Sequence, residues 1–480
     1  MKKLQLLIGA MFLSLNIFAQ TFTVTINNGY GSGNYSSGDT VHIFTAHYSQ
    51  NQLFDKWSGD TILQAPEEWH TWFIMPNRNV TLTGSIKNIT PVTLQFEQIM
   101  GRDILKPVYY YFPSGHKGFV YLLHGTGGKA SYVANEYEFQ ILIRDLIDDN
   151  FGVIITEAEE ATTGIDANGD GKLRWAIYPV DTINNVDYAN IRIITDTFYT
   201  RGVTDRSKSR YSIGMSNGAF YSASLSAIYQ YKAGVNYCGQ SDAIITGATQ
   251  TPLQFCMARN DQDAGVGQTG NADALTFSNS LNARGICSKY LIKERCPIYP
   301  ERFARRGNIT IAQSISVFNE LLAKGYIDSN NYFIGFANSL ATAYASNPTS
   351  FPVINSMSLS QRSFMLDQIN LSVSDHQMYS DFNRATLRFL DSTLCNTTTG
   401  IDQFSLKVNI GCIYPNPFSN RIQLENTSGL ENYELHNSLG QVIWIGKNIE
   451  QQDFSFLQNG IYFLNVSTQT GQQTFKLIKQ

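Results

Sequence analysis

The sequence predicts a central, largely parallel α/β sheet flanked by a small N-terminal all-β module and a C-terminal β-sandwich. Three observations carry this. Between about Val92 and Met257, short apolar runs alternate with segments of helical spacing: Phe119–Leu123, Ile141–Asp149, Val153–Thr156, Tyr188–Tyr199. Thr21–Ser85 is instead rich in Thr, Val, Gly and aromatic residues, with alternating runs at Phe22–Ile26 and Thr40–Ala46 between glycine–serine turns. The residues after 409 return to short alternating runs of sandwich type. The division is then 1–20 leader, 21–90 β module, 91–396 α/β domain, 397–408 polar linker and 409–480 β-sandwich.

The 480 residues suffice for two to four domains at ~150 residues each, and 43% hydrophobic content supports packed cores. With 35 basic against 39 acidic residues, the surface has no electrostatic footprint for nucleic acid. Met1–Gln20 opens on two lysines, runs through the apolar Leu4–Leu15 and reaches Ala19, the layout of a secretory signal peptide. The apolar run is too short to span a bilayer and no later one is long enough, so no transmembrane segment is expected. Export exposes six cysteines to an oxidising compartment where disulfides persist. Cys287 with Cys296 and Cys395 with Cys412 would close short loops, and Cys238 and Cys256 lie near the ends of successive predicted strands.

Within the β module, Gly29-Tyr30-Gly31-Ser32-Gly33, Gly38-Asp39-Thr40-Val41, Phe54–Asp60 and Phe73–Val80 resemble the internalin-type B-repeat family of bacterial surface proteins. The resemblance implies a β-grasp-like spacer or binding module. Trp57, Trp69 and Trp72 offer a sugar-binding platform or, the preferred reading, aromatic core packing.

The chemistry centres on Gly214-Met215-Ser216-Asn217-Gly218. This G-x-S-x-G pentapeptide lies between a strand (Tyr211–Ile213) and the opening of a helix (Ala219–Ser226), the context in which the turn exposes a serine hydroxyl. Ser216 as nucleophile needs a base, an orienter for the base and donors for an oxyanion. Of seven histidines, four precede the catalytic sheet, His124 precedes Ser216 and His436 lies in the C-terminal β region. His376 remains, after a predicted strand at Ile369–Val373, and is the expected base. The acid belongs after the strand Leu253–Met257, where Asn260-Asp261-Gln262-Asp263 offers Asp261, preferred for its spacing, or Asp263. Phe119–Leu123 runs into His124-Gly125-Thr126-Gly127-Gly128, whose backbone approaches an acyl carbonyl. The expected oxyanion donors are the amides of Asn217 and Thr126, with Gly127 as alternative to Thr126, and His124 shapes the loop.

Together, His124-Gly125, the G-M-S-N-G elbow, Asn260-Asp261 and His376 resemble the secreted polyhydroxybutyrate-depolymerase/feruloyl-esterase-like branch of the α/β-hydrolases, over about residues 95–392. Ser374-Asp375 stands where that branch often has glycines, and the span from Asp261 to His376 is unusually long. The resemblance implies a serine esterase acting on feruloyl or acetyl groups of a polysaccharide or on a polyester. A peptidase on the same fold and a non-catalytic surface adhesion protein are the alternatives.

Asp166-Ala167-Asn168-Gly169-Asp170-Gly171 matches the first half of a calcium loop, with oxygens from Asp166, Asn168 and Asp170. Position 12 is Ile177, so Asp181 or Asp187 would have to replace the missing glutamate. The other reading is a turn held by its own side chains. Catalysis itself calls for no cofactor. Residues 270–370 read as a cap or side insertion with a helix at Ile311–Ala323. Finally, Ile413-Tyr414-Pro415-Asn416-Pro417-Phe418, Tyr433-Glu434-Leu435, Leu457–Leu464 and Phe475–Lys479 resemble the type A C-terminal sorting domain of the type IX secretion system. This implies the secretion machinery as partner and a secreted or cell-surface location.

Overall fold

The computed structural model describes residues 20–61, 63–392, 413–424, 431–437, 442–468 and 471–480. Almost all of the leader, the linker, Cys395 and Cys412 lie outside the described residues. Eight strands build the central sheet: β1 (Gln95–Met100), β2 (Leu105–Tyr111), β3 (Gly118–Leu123), β4 (Phe151–Ile155), β5 (Ser209–Met215), β6 (Ala233–Tyr237), β7 (Leu253–Ala258) and β8 (Ser288–Lys293). Their spatial order is β1-β2-β4-β3-β5-β6-β7-β8. β1–β2 and β2–β4 pair antiparallel, and every pairing from β4 across to β8 is parallel. Strands β3, β4, β6 and β7 are buried along their whole length. That is why they read as continuous apolar runs: helices cover both faces of the sheet.

On one face, α1 (Tyr137–Asp148) packs Leu142, Ile143 and Leu146 against Val120, Val153 and Ile213. On the other, α2 (Val186–Thr200) and α3 (Asn217–Ile228) bring Ile194, Phe198 and Leu225 against Phe119, Tyr121 and Ile154. The sheet ends in a segment that departs from expectation. Residues 267–293 supply α4 (Gly267–Ala283) and edge strand β8, so they belong to the main layer and not to an insertion. Their small and polar residues (Gly-Gln-Thr-Gly-Asn-Ala) and the lysines in β8 hide the periodicity. The insertion begins after Lys293. It holds α5 (Ile311–Ala323), as expected, and packs Ile298, Phe303, Val317, Leu321 and Phe333 into its own core against Tyr137 and Ile141 of α1.

Ile369–Val373 is the last turn of α6 (Leu359–Val373), not a strand. Ile-Asn-Leu-Ser-Val alternates with period two, but the Ser358–Gln361 capping box starts a helix that carries through it. The short α7 (Asn383–Asp391) follows.

The N-terminal module is all-β, with a four-stranded and a three-stranded sheet. Trp57 and Trp69 are each 3% exposed in its core, whereas Trp72 is 36% exposed, so packing wins over a platform for the first two. The same core takes in Cys296 and Tyr299 from the insertion, so the module is seated on the α/β domain. The Glu68 carboxylate accepts from the backbone N–H of Ala385 (3.0 Å) at the start of α7, and the Arg305 guanidinium lies 3.6 Å over the Trp69 ring while it ion-pairs with buried Glu138.

A polar chain crosses this seam. His42 Nδ1 lies 3.0 Å from His70 Nε2, His70 Nδ1 lies 2.7 Å from Asp381 Oδ1, and Lys293 Nζ donates to the same oxygen at 2.6 Å. Burial is the main cause that lowers His70 to about 4 and His42 to about 3; Asp381 opposes it and Lys293 reinforces it. Both imidazoles are therefore neutral in the folded protein at neutral pH. The unfolded chain takes up protons below about 6.5 while the folded chain resists, so stability is lost as pH falls from 6.5 toward 4. By pH 5 the loss is roughly 2 kcal/mol for His70, at about 1.4 kcal/mol per pKa unit, and less for the partly exposed His42. We expect the melting temperature to drop between pH 7 and pH 5, and to drop less in His70→Gln. An equal drop in that variant would refute this assignment.

Cys238, Cys256 and Cys296 are free, buried thiols. The expected Cys287–Cys296 and Cys238–Cys256 pairings therefore do not form. Cys238 and Cys256 do meet across β6 and β7, but through a backbone hydrogen bond of 2.9 Å. The Cys395–Cys412 pairing falls outside the described residues. At the C-terminus, four antiparallel strands in the order Val442–Gly446, Asn432–Asn437, Gly460–Thr468, Gly471–Lys479 enclose Phe418, Leu435, Phe454 and Leu464, with a second, two-stranded sheet. Among the described residues, no helix is long and apolar enough to cross a membrane.

Candidate active site

The carboxyl ends of the parallel strands gather the sequence-predicted residues at one edge of the sheet, where ligands of open α/β sheets bind. Ser216 follows β5 directly, with φ 57° and ψ −124°. A non-glycine residue reaches that conformation only when its surroundings impose it. Here they do. A Cβ on Gly214 would lie 1.9 Å from the Gly218 carbonyl oxygen, and one on Gly218 would lie 2.4 Å from the His124 carbonyl oxygen. Both elbow glycines are required by close approach. The Ser216 N–H donates to the Tyr237 carbonyl (2.9 Å), which ties the elbow to β6.

Asp261, three residues beyond the end of β7, is buried, and its Oδ2 lies 2.8 Å from His376 Nδ1. Its other oxygen accepts the backbone N–H of Asp263 (2.9 Å). Asp263 turns its own Oδ1 to the Gly265 N–H and makes no hydrogen bond to the imidazole among the described residues. Of the two acids left open, the geometry joins Asp261 to the histidine. The loop that carries His376 is pinned at several points. Ser374 Oγ donates to the Lys293 carbonyl and accepts from the Arg259 N–H. Asp375 Oδ1 accepts the amides of Gln262 (2.9 Å) and His376 (2.7 Å). Ser374 has φ 61°, the left-handed conformation that glycine adopts freely, so the serine departs from a glycine in identity but not in backbone shape.

Burial alone would lower the pKa of His376. The hydrogen bond and charge of Asp261, with Asp263 and Asp375 adding charge, outweigh it and raise the imidazole above its ordinary value. His124 differs in kind. It is fully buried, its Nδ1 meets the Gly125 carbonyl (2.7 Å), its Nε2 accepts from the Ala158 N–H (3.0 Å), and burial lowers it to about 4. It is a neutral brace for the turn after β3. In that turn the Gly127 N–H already donates to the Leu173 carbonyl (2.8 Å). The Gly127 amide is thus occupied, whereas Thr126 is an exposed residue of the same loop and Asn217 opens the first turn of α3.

Sequence reasoning missed Trp175. It is 2% exposed, its N–H donates to Asn217 Oδ1 (2.8 Å) and its carbonyl accepts from Asn217 Nδ2 (3.3 Å). Its indole Nε1 donates to the His124 carbonyl (3.0 Å) and its ring stacks on Tyr221 at 4.6 Å. No local motif announces such a residue.

The expected calcium loop is held by its own side chains, as in the alternative turn reading. Asp166 accepts the amides of Gly169, Asp170 and Gly171; Asn168 accepts that of Asp170; Asp170 accepts that of Lys172 and ion-pairs with Arg174. Asp181 is committed to Ile183 and Asn184, and buried Asp187 to Glu159 and Ala176. The oxygens a cation would need face N–H groups, as in a self-capped turn. Among the described residues, the one cluster of three metal-capable side chains is Cys238, Asp261 and His376, which is the candidate active site itself.

Residues 412–480 match the family described as "Secretion system C-terminal sorting domain", so the chain carries a signal for secretion at its C-terminus. No curated protein matches the sequence. Similar solved structures include dienelactone hydrolase from Anabaena variabilis (14% identity, TM-score 0.31, 42% of this chain and 86% of that one). Another is Est1E from Butyrivibrio proteoclasticus with ferulic acid bound (12%, TM-score 0.30, 41% and 88%). A third is an alpha-beta serine hydrolase homologue from Coxiella burnetii (12%, TM-score 0.31, 42% and 87%). The strand order and the strand-end elbow described above are those of an α/β-hydrolase sheet.

Proposed function

We propose that the protein is a secreted serine esterase. The observation that carries this reading is the buried Asp261 hydrogen-bonded to His376 at the strand ends that also present Ser216 on its strained turn. Ser216 Oγ attacks the ester carbonyl while His376 takes its proton and then gives it to the departing alcohol. Asp261 holds the imidazole in the tautomer with its proton on Nδ1 and stabilises the imidazolium. The amides of Asn217 and Thr126 receive the oxyanion. Water then attacks the acyl-enzyme by the same proton relay, releasing the acid. The substrate is an ester borne on a polymer, and export by way of the sorting domain brings the enzyme to it outside the cell.

The test is hydrolysis of p-nitrophenyl acetate and methyl ferulate. Turnover by the native protein that disappears in Ser216→Ala supports the reading. Failure of the native protein to turn over either ester would sink it, and faster cleavage of chromogenic peptides would replace it with a peptidase.

A further inference from the structure

A cavity of about 810 Å3 lies on the seam between the N-terminal module and the insertion. One wall is the Gly29–Phe44 hairpin region of the module. The other is Pro297–Glu301 and Ser329–Tyr332 of the insertion. Neither unit forms it alone. The size lies in the range of small-molecule sites, yet the lining is not that of an apolar pocket: tyrosine rings alternate with amides and carboxylates.

The rings are held firmly. Tyr30 stacks on Tyr299 at 4.8 Å and 17°, and both residues line the cavity. Tyr35 donates from its hydroxyl to the Gly31 carbonyl (2.9 Å). Gly31 has φ 117°, and a Cβ there would lie 2.5 Å from the His42 carbonyl oxygen, so the hairpin cannot accept a side chain at that point of the wall. Asn34, Asn330 and Glu301 line the same cavity. Fixed aromatic faces beside amide and carboxylate groups suit a ligand that has apolar C–H faces and a rim of hydroxyls. A hydroxyl both donates and accepts, which uses amides and carboxylates together. An anion would meet Glu301 and Asp39 with no lysine or arginine lining the cavity among the described residues. A lipid chain would leave the polar groups unpaired.

We infer that this cavity is a carbohydrate-binding site that holds a polysaccharide while its ester is cleaved at Ser216. The second half of that statement rests on the esterase reading; the first does not. Position supports the link. The chain leaves β8 at Lys293, whose carbonyl is bonded to Ser374 two residues before His376, and reaches Tyr299 six residues later. Six residues span at most ~21 Å, so cavity and active centre lie within reach of one polymer chain. A module seated rigidly across the seam then presents the backbone sugar at a constant offset from the nucleophile. This selects polysaccharide esters over polyesters.

The test uses the full-length Ser216→Ala protein, which cannot consume its ligand, titrated calorimetrically with xylohexaose, mannohexaose and cellohexaose. Saturable binding of at least one oligosaccharide is expected. Tyr30→Ala and, as the milder change, Glu301→Gln should each weaken it by at least roughly tenfold (about 1.4 kcal/mol). No binding of any of the three at millimolar concentration overturns the inference. So does binding that neither variant alters, which would place the sugar elsewhere. Esterase activity without sugar binding removes this inference alone, and sugar binding without esterase activity removes the proposed function alone.

Discussion

Asp261→Asn is expected to lower kcat/KM on a short-chain ester by roughly 1,000- to 10,000-fold, as loss of the imidazole's orienting carboxylate does in serine triads. Asp263→Asn should change it by less than about threefold, because that carboxylate adds only distant charge. The asymmetry follows from geometry: Asp261 is buried and directly bonded to His376 Nδ1, while Asp263 is exposed and bonded to its own loop. The pH profile separates orientation from simple loss of packing. His376 works as a base only when neutral. Its pKa is raised in the native protein, so activity should rise with pH through an acid limb above the ordinary 6.5. Asp261→Asn removes the largest raising influence, leaving burial to lower the pKa, and the residual activity should therefore show its acid limb at lower pH. Equal losses in the two variants, or an unmoved limb in Asp261→Asn, would overturn the assignment of the acid.

The elbow, the histidine and the acid were legible because each depends on local chemistry. Gly214 is dictated by the Gly218 backbone four residues on; Gly218 answers to the distant His124 carbonyl, yet the pentapeptide pattern between strand and helix announces it locally. Histidine was found by elimination, which needed no fold at all. The one wrong element near the site, Ile369–Val373, failed because Ile-Asn-Leu-Ser-Val alternates with the period of a strand while the capped helix that begins at Leu359 runs through it. Edge strand β8 was missed for a related reason: an edge flanked by lysines and turns looks like an irregular connection. The seam between module and insertion could not be read from the sequence. His70 meets Asp381, and Tyr30 meets Tyr299, across hundreds of residues.

Trp175 belongs to that long-range class, and its removal is the second large effect. Its indole N–H holds the His124 carbonyl, the oxygen against which Gly218 is packed. Its ring stacks on Tyr221 of α3, which stacks in turn on Tyr188 of α2 at 4.9 Å. The residue thus clamps the turn carrying Thr126 to the helix whose first turn carries Asn217. These are the two proposed oxyanion donors, and they act only if held at a fixed separation. Trp175→Ala should cost about 3–5 kcal/mol as a large buried aromatic truncation, and many molecules will fail to fold. Trp175→Phe is the sharper probe. It keeps a stacking ring but leaves the buried His124 carbonyl without its donor, at about 1–3 kcal/mol. If the clamp sets the donor spacing, kcat should fall by about tenfold or more with KM nearly unchanged, because the oxyanion exists only in the transition state. A folded Trp175→Phe protein with native kcat would show that the donors hold their spacing without it.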